Sequence, residues 1–162
     1  MSIYKNDKLI YVAQCVDSLL KQTFKDFHVY VQYDGVVESG IEHFFMELND
    51  SRFHVYGRDE NYGLAYSLNE LLTIVLSKGY DYVLRMDADD IMHTERLRIQ
   101  LKRMKKNPNI TVCGTWAKIF SDKGNERNVF HFGHEIICEP VLELLKYNML
   151  LHPSVMVKKE FL

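Results

Sequence analysis

Hydrophobic residues recur along this chain with two different spacings, and the spacing changes from one segment to the next. Apolar residues that return every three or four positions predict an amphipathic helix, whereas short runs of β-branched and aromatic residues predict a strand. Helices are predicted at residues 11–22, 40–50 and 63–79. Strands are predicted at residues 27–35, 52–58 and 81–86. The two kinds of segment therefore alternate through the first half of the chain.

The second half of the chain begins with another helix and then changes character. The predicted elements are a helix at 94–108, paired strands at 109–122 and 126–133 around a turn at 122–125, a helix at 139–150 and a short strand at 154–159. Thr94 is expected to cap the first of these helices, because its hydroxyl can accept a hydrogen bond from a free backbone N–H. The whole pattern predicts an α/β fold, with a mostly parallel sheet flanked by helices and an antiparallel element near residues 110–132.

The length of 162 residues suits one domain with a hydrophobic core, so residues 1–162 are interpreted as a single domain. Folds of this type usually begin with a buried strand, but only the segment MSIY stands where that strand would end. We therefore expect the domain to be truncated at both ends, with an incomplete first strand and an incomplete C-terminal region.

Charge and composition argue against several classes of protein. The formal net charge of −2 provides no basic field for nucleic acid. No apolar run approaches the roughly 20 residues that a membrane span requires, and no signal peptide is visible at the N-terminus. Cys15, Cys113 and Cys138 are too few and too scattered for a disulfide framework or a zinc site, so we expect buried free thiols in a reducing compartment.

Three of the four residues that follow the strand at 81–86 are acidic: Asp87, Asp89 and Asp90. Clustered carboxylates repel one another and resist burial, so they need a partner. Because ligands of open α/β sheets bind beyond the carboxyl ends of the strands, Asp34, Asp87 and Asp89 are predicted to converge on one crevice. A divalent cation, Mg²⁺ or Mn²⁺, is the simplest partner for such oxygen ligands.

Several segments, taken in order, resemble family 2 glycosyltransferases, which have the Rossmann-like GT-A nucleotide-diphospho-sugar transferase fold. The segments are SIYKND, SLLKQTFKDF, YDG, NYGLAYSLNE, RMDADDIMHTERL and LLHPSVMVKK. They span nearly the whole chain. The similarity is greatest to bacterial enzymes that build exopolysaccharide, O-antigen or capsule repeats.

This resemblance implies a donor-binding role for five residues at or beyond the strand ends. Asp34 matches the acidic residue that hydrogen-bonds the uracil ring of a UDP-sugar. Ser2 and Tyr4 match positions against the same base. Arg58 and Asn61 precede a helix whose N-terminus favours anionic groups, so they are expected near the donor.

The resemblance also implies a role for the acidic cluster, and this sequence departs from the pattern of the family at two positions. Asp87 and Asp89 match the D-x-D motif, with Asp87 near the ribose or sugar and Asp89 on the metal ion that bridges the phosphates. Tyr33 stands where many relatives have a second acid. Leu151 stands where one alignment puts the catalytic Asp, so the general base is unassigned. His152 matches a pattern that recurs in the nearer subfamily, and it is the candidate catalytic residue on the acceptor side.

The implied activity is an inverting, metal-dependent transfer of a sugar from a nucleotide-diphosphate donor, a UDP-sugar, to a saccharide or lipid-linked saccharide. Such an enzyme would work in the cytoplasm, at the inner face of the membrane, in cell-surface polysaccharide synthesis. The missing C-terminal region would then carry part of the acceptor site. An alternative is a truncated nucleotide-sugar-binding domain without transferase activity.

Other interpretations of the same residues remain open at this point. The acidic cluster fits a D-x-D phosphatase or a calcium loop poorly, since the residues around it differ and the loop lacks a central glycine. Asp34 could only form an Asx turn with Gly35, and His152 could be a core histidine. The basic run at 96–106 is interpreted as a solvated helix face, with a membrane-surface contact as the alternative.

Overall fold

The structure is a computed structural model that describes residues 1–120 and 150–162, together with the backbone of residues 126–130. The helices are α1 (Leu9–Leu20), α2 (Ser39–Glu47), α3 (Leu64–Leu76) and α4 (Arg96–Lys106), with short 3₁₀ helices at His152–Ser154 and Lys159–Phe161. The strands are β1 (Ser2–Ile3), β2 (Val29–Asp34), β3 (Phe53–Arg58), β4 (Tyr82–Leu84), β5 (Val112–Cys113), β6 (Ala117–Phe120), β7 (Glu126–Phe130) and β8 (Met156–Lys158). The predicted alternation of strands and helices is confirmed through α4.

The first sheet contains three parallel strands in the order β1, β2, β3. In its register Ile3 lies opposite Tyr33, and Asp34 lies opposite Arg58. Strands that are parallel and in register end at the same edge of the sheet, so the residues that follow them share one surface. This is the arrangement that was predicted for the first half of the chain.

Alternating and helical periodicity place the apolar residues of this half in one core. Ile3 of β1, Val31 of β2, Val12 and Val16 of α1 and Ile41 of α2 are all fully buried. The helices thus cover the sheet with their apolar faces and leave their polar faces to solvent. Burial of this kind is worth roughly 1.5–3 kcal/mol for each large apolar side chain.

Antiparallel pairing is confirmed and extends further than the sequence predicted. Strands β6 and β7 form the expected two-stranded sheet. Strand β8 lies between β4 and β5 and is antiparallel to both. As a result, the strand that leads to the acidic cluster is paired with the last strand of the chain.

Three local predictions need comment. Helix α4 begins at Arg96, with Glu95 as N-cap residue and no side-chain capping bond, so the prediction that Thr94 caps it was wrong. The backbone carbonyl of Thr94 accepts a hydrogen bond from the backbone N–H of Thr23 at 3.0 Å. The basic run is solvated at most positions, but Arg96 is buried. The predicted helix at 139–150, Cys138 and the turn at 122–125 lie outside the described residues, apart from Leu150.

Candidate functional site

The carboxyl edge of the parallel sheet brings Tyr4, Gly35 and Asp59 to the same surface, because each follows the end of one of the three strands. Asp34, the last residue of β2, is 3% exposed. Gly35 has φ of +84°, and a Cβ atom there would lie 3.1 Å from the backbone nitrogen of Asn61. Only glycine permits both this dihedral angle and this close approach without strain, so the loop after β3 folds directly over the end of β2.

Asp34 holds that loop in place. Its Oδ1 accepts hydrogen bonds from the backbone N–H groups of Tyr62 at 2.8 Å and Gly63 at 3.3 Å, and from Nη2 of Arg58. The side-chain amide of Asn61 donates to the Asp34 carbonyl at 2.9 Å. Burial alone would raise the pKa of Asp34, but these hydrogen bonds and the Arg58 charge outweigh it and hold the pKa below its ordinary value.

Arg58 is enclosed on several sides. Its Nη1 pairs with Glu70, its Nη2 pairs with Asp34 and also donates to Ser67 Oγ at 2.6 Å, and 14% of its side chain is exposed. The guanidinium lies 5.0 Å from the ring centroid of Tyr62 and 5.2 Å from that of Tyr66. Arg58 and Asn61 thus both bind Asp34, and their place near the donor stays a prediction.

The acidic cluster lies beyond the end of β4. Asp87 is half-buried and accepts a hydrogen bond from Nη2 of Arg85 at 2.8 Å. Burial raises the pKa of Asp87, and the Asp89 charge raises it further while Arg85 lowers it. Burial, followed by repulsion from Asp87 and Asp89, raises the pKa of Asp90 to about 6. Asp89 is exposed and has no hydrogen-bond partner among the residues that the structure describes.

A further carboxylate, Asp7, joins the loop after β1 to this cluster. Its Oδ2 accepts a hydrogen bond from the backbone N–H of Tyr4 at 2.8 Å. Burial raises the pKa of Asp7, and the charges of Asp89 and Asp87 raise it further. Sequence reasoning did not single out Asp7, although it lies within the quoted segment SIYKND.

The interactions of the three loops fall into two groups, and their convergence on one crevice stays a prediction. The loops after β1 and β4 meet through Asp7, Asp87 and Asp89. Asp34 faces the loop after β3, and none of its interactions in the described part of the chain involves Asp87 or Asp89. Ser2 lies in β1 opposite Gln32, and Tyr4 follows at 40% exposure.

Buried polar side chains support the acidic loop from the side of α1. Ser18 Oγ accepts a hydrogen bond from the backbone N–H of Met92 at 3.0 Å. The amide of Gln22 donates to the carbonyl of His93 at 2.9 Å and accepts from the N–H of Leu97 at 3.2 Å. These bonds satisfy backbone groups in the stretch between the acidic cluster and α4, and so hold that stretch in one conformation.

Arg96 performs the same role from α4. Its Nη2 donates to the carbonyls of Arg85 at 3.3 Å and Pro153 at 3.0 Å, and its Nε donates to Gln100 at 3.0 Å. Burial lowers the pKa of Arg96 to about 10. Sequence reasoning missed Arg96 and Gln100; a signal was available, since Leu97, Gln100 and Met104 share one helix face.

His152 begins the 3₁₀ helix before β8 and is exposed. The backbone N–H of Arg85 donates to the carbonyl of Val155 at 3.0 Å, so the segment that begins at His152 lies at the end of β4. No group of three or more His, Cys, Asp or Glu side chains in the described residues is arranged to hold a metal ion by itself. Asp89, exposed and without a protein partner in the part of the chain that is described, fits a Mg²⁺ or Mn²⁺ ion whose other ligands come mostly from phosphate and water.

Comparison with known proteins decides the family. The model of the family described as "Glycosyl transferase family 2" matches residues 3–155. The chain belongs to glycosyltransferase family 2. The match covers both strand-end clusters described above, and the expected resemblance is thereby confirmed.

Two curated glycosyltransferases of Escherichia coli are similar to this family 2 chain. The O-antigen biosynthesis glycosyltransferase WbnJ is 27% identical over 164 residues, covering 99% of this chain and 60% of WbnJ. A UDP-Gal:alpha-D-GlcNAc-diphosphoundecaprenol beta-1,3-galactosyltransferase is 30% identical over 132 residues, covering 76% of this chain and 46% of the relative. The chain thus spans less than two thirds of the length of either relative.

Solved structures show the same fold. Residues 1–349 of TarS from S. aureus match with a TM-score of 0.69 and 20% identity, covering 98% of this chain and 45% of TarS. The mannosyltransferase PcManGT from Pyrobaculum calidifontis, solved with GDP-Man and Mn²⁺, matches with a TM-score of 0.57 and 16% identity, covering 68% of this chain and 33% of PcManGT. The expected GT-A architecture is confirmed. In the described part of the chain, no helix is both long enough and apolar enough to cross a membrane.

Proposed function

We propose that this chain carries the donor site of an inverting, metal-dependent glycosyltransferase that uses a UDP-sugar. The observation that carries the proposal is the exposed carboxylate of Asp89, beside the Arg85-bound Asp87, at a strand end in a chain of this family. An exposed carboxylate next to a second one attracts a divalent cation, and that cation attracts a diphosphate.

Each predicted donor residue has a role in this proposal. Ser2 and Tyr4 lie against the base, and Asp34 meets the uracil ring from the end of β2. Arg58 and Asn61 act through Asp34, because their side chains hold it and the loop after β3 in place. The ribose or the sugar lies beside Asp87, whose charge is balanced by Arg85.

The chemistry is a single displacement at the anomeric carbon. The acceptor hydroxyl oxygen forms a bond to C1 of the donor sugar while the bond from C1 to the diphosphate oxygen breaks, and the electron pair leaves with UDP. Asp89 would hold a Mg²⁺ or Mn²⁺ ion, and that ion would supply Lewis-acid stabilisation of the negative charge on the diphosphate. The hydroxyl proton passes to a base; His152, exposed near the end of β4, is our candidate within this chain.

The acceptor is proposed to be a saccharide or lipid-linked saccharide used in cell-surface polysaccharide synthesis, in the cytoplasm at the inner face of the membrane. The E. coli relative named for a diphosphoundecaprenol acceptor supports a lipid-linked substrate. Exposed basic side chains on α4, at Arg98, Lys102, Lys105 and Lys106, would suit a peripheral contact with anionic lipid.

Calorimetric titration with UDP tests the donor site directly. We expect binding in the presence of Mn²⁺ that EDTA abolishes, that Asp89→Ala removes, and that Asp26→Ala retains. Asp26 is a suitable control because it is exposed and precedes β2, at the opposite end of the strand from Asp34. A folded parent chain that binds no UDP with Mn²⁺ would rule out the donor site in this chain.

An assay of UDP release distinguishes an active enzyme from the alternative, a nucleotide-sugar-binding domain without transferase activity. Incubation with UDP-sugars and Mn²⁺ should release UDP slowly by hydrolysis, and Asp89→Ala should lower the release by about tenfold or more. UDP binding with no release above the rate without protein would support the binding-only alternative.

A further inference from the structure

A single buried guanidinium connects the acidic cluster with the segment that contains His152. Nη2 of Arg96 donates to the carbonyl of Arg85 at 3.3 Å and to the carbonyl of Pro153 at 3.0 Å. Arg85 lies two residues before Asp87 in the chain. Pro153 directly follows His152. The side chain of Arg96 therefore touches the backbone on both sides of the candidate site.

Gln100 extends this connection one turn further along α4. Its Oε1 accepts a hydrogen bond from Nε of Arg96 at 3.0 Å, which fixes the orientation of the guanidinium. Its Nε2 donates to the carbonyl of Ser154 at 2.9 Å and to the carbonyl of Cys113, in β5, at 2.6 Å. Gln100 is 1% exposed. Loss of either side chain would deprive buried carbonyls of a donor, which is costly where water cannot replace it.

The acidic loop has additional support from the opposite side. Ser18 and Gln22 of α1 bind the backbone of Met92 and His93, as described above. The thiol of Cys15, also in α1, donates to the carbonyl of Asp87 at 3.4 Å. These bonds do not involve α4, so the acidic loop should keep its conformation when Arg96 is changed.

The segment His152–Ser154 is more dependent on α4. A 3₁₀ helix of three residues has little stability of its own, because it contains very few internal hydrogen bonds. The backbone N–H of Thr115 donates to Ser154 Oγ at 3.1 Å, so the end of the segment is also held from the side of β5. The carbonyl nearest to His152 in that segment, on Pro153, is bound by Arg96. Loss of Arg96 should therefore release the backbone next to His152 first.

We propose that Arg96 and Gln100 are positioning residues for the transfer reaction. They hold the segment His152–Ser154, on the acceptor side, at a fixed separation from Asp87 and Asp89 on the donor side. This inference rests on the proposed function, which assigns those two sides. A displacement of about 1 Å can lower an enzymatic rate about a hundredfold, so the two side chains should affect kcat more than donor binding.

The variant Arg96→Met tests this proposal in the assay of UDP release with Mn²⁺, because it keeps the long apolar stem and removes the donors. We expect kcat to fall by about tenfold or more, with KM for the UDP-sugar within about twofold of the parent. Arg96→Lys should recover most of the lost kcat, since its ammonium can donate to both carbonyls. Gln100→Met, which retains Arg96, should lower kcat in the same way and serves as the second variant if Arg96→Met does not fold.

A stability control separates positioning from general destabilisation. Ile41 is fully buried in α2 and belongs to neither group of site contacts, so Ile41→Ala should destabilise the fold through the cavity that it creates. It should leave kcat within about twofold of the parent. A loss of kcat in Ile41→Ala as large as in Arg96→Met would overturn the proposal, and so would a KM that rises in Arg96→Met while kcat is unchanged.

Amide exchange provides a readout that requires no nucleotide. In Arg96→Met, exchange in the segment 150–157 should become about tenfold faster or more, while exchange in the segment 87–93 changes by less than about threefold. Ser18→Ala, which removes a bond to the acidic loop, should show the reverse ratio. An unchanged ratio in Arg96→Met, with a parent that binds UDP, would overturn this inference alone. A folded parent that binds no UDP with Mn²⁺ would overturn the proposed function and this inference together.

Discussion

Replacement of Asp34 by asparagine removes the charge from the carboxylate that holds the loop after β3 while preserving its shape. In the parent protein Oδ1 accepts from two backbone N–H groups and from Arg58, and Asp34 is 3% exposed. The amide oxygen of the introduced side chain can still accept from the backbone, but Arg58 loses its most buried counter-charge and retains Glu70. Hydrogen bonds to charged groups contribute about 1.5–3 kcal/mol, so we expect the free energy of unfolding to fall by about 2–3 kcal/mol.

Urea unfolding at pH 7, followed by circular dichroism, measures this change. With a typical urea slope of roughly 2 kcal/mol per molar, the midpoint should fall by about 1–1.5 M while the slope is unchanged. Asp59→Asn, which alters an exposed carboxylate at the start of the loop after β3, should shift the free energy of unfolding by no more than about 0.5 kcal/mol. A double-mutant cycle with Arg58→Gln should show a coupling of at least about 1 kcal/mol.

The pH dependence gives the sign of the effect. The folded-state pKa of Asp34 lies below its ordinary value, so its ionised form stabilises the fold above the unfolded-state pKa of about 3.9. That contribution disappears as the pH falls through the folded-state pKa. The difference between parent and Asp34→Asn should therefore shrink steadily below about pH 4. Equal stability of the two proteins at pH 7, or a difference that does not shrink at all as the pH falls below about 4, would refute the assigned role.

Three further predictions concern other parts of the chain. In thermal melts, Gly79→Ala should lie within about 0.5 kcal/mol of the parent in its free energy of unfolding. Gly63→Ala, at φ +89° with open space around it, should be destabilised by about 1 kcal/mol. Gly35→Ala should be destabilised by more, because its Cβ atom would also lie 3.1 Å from the backbone nitrogen of Asn61. The buried thiol of Cys15, whose pKa burial raises to about 12, should react with iodoacetamide at pH 8 only after unfolding, as mapped by mass spectrometry; labelling in the folded protein would contradict this. If His152 is the base, His152→Ala should abolish the acid limb of the pH–rate profile and lower kcat by about a hundredfold or more with unchanged UDP binding, whereas a retained limb would exclude it.

Short-range features of the fold were predictable because they depend on local periodicity. The apolar faces of α1 and α3 and the alternation with β2 and β3 are visible in the order of residues. The pairing of β4 with β8 was not predictable in the same way, since the residues of a short apolar strand do not indicate which distant strand will pair with it. Thr94 is not the cap because α4 begins one residue later than predicted, with Glu95 in the N-cap position.

The candidate site was also predictable only in its local features. Asp34 and the pair Asp87 and Asp89 could be selected from sequence because each stands at or just beyond the end of a run of strand-forming residues. Their partners could not be selected in advance. Arg58 meets Asp34 through the register of β2 and β3, and Arg96 is buried because backbone carbonyls, which every residue carries, surround its guanidinium.

The position of β8 between β4 and β5 has a consequence for the order of folding. Tyr82 pairs with Lys158, so the ladder that fixes the end of β4 closes a very long loop and must form late. During synthesis, the parallel sheet of β1, β2 and β3 can form while β8 is still inside the ribosome. The half of the protein that carries Asp34 is thus ready first, and the half that carries Asp87 and Asp89 becomes ordered only after the strand at Met156–Lys158 has emerged.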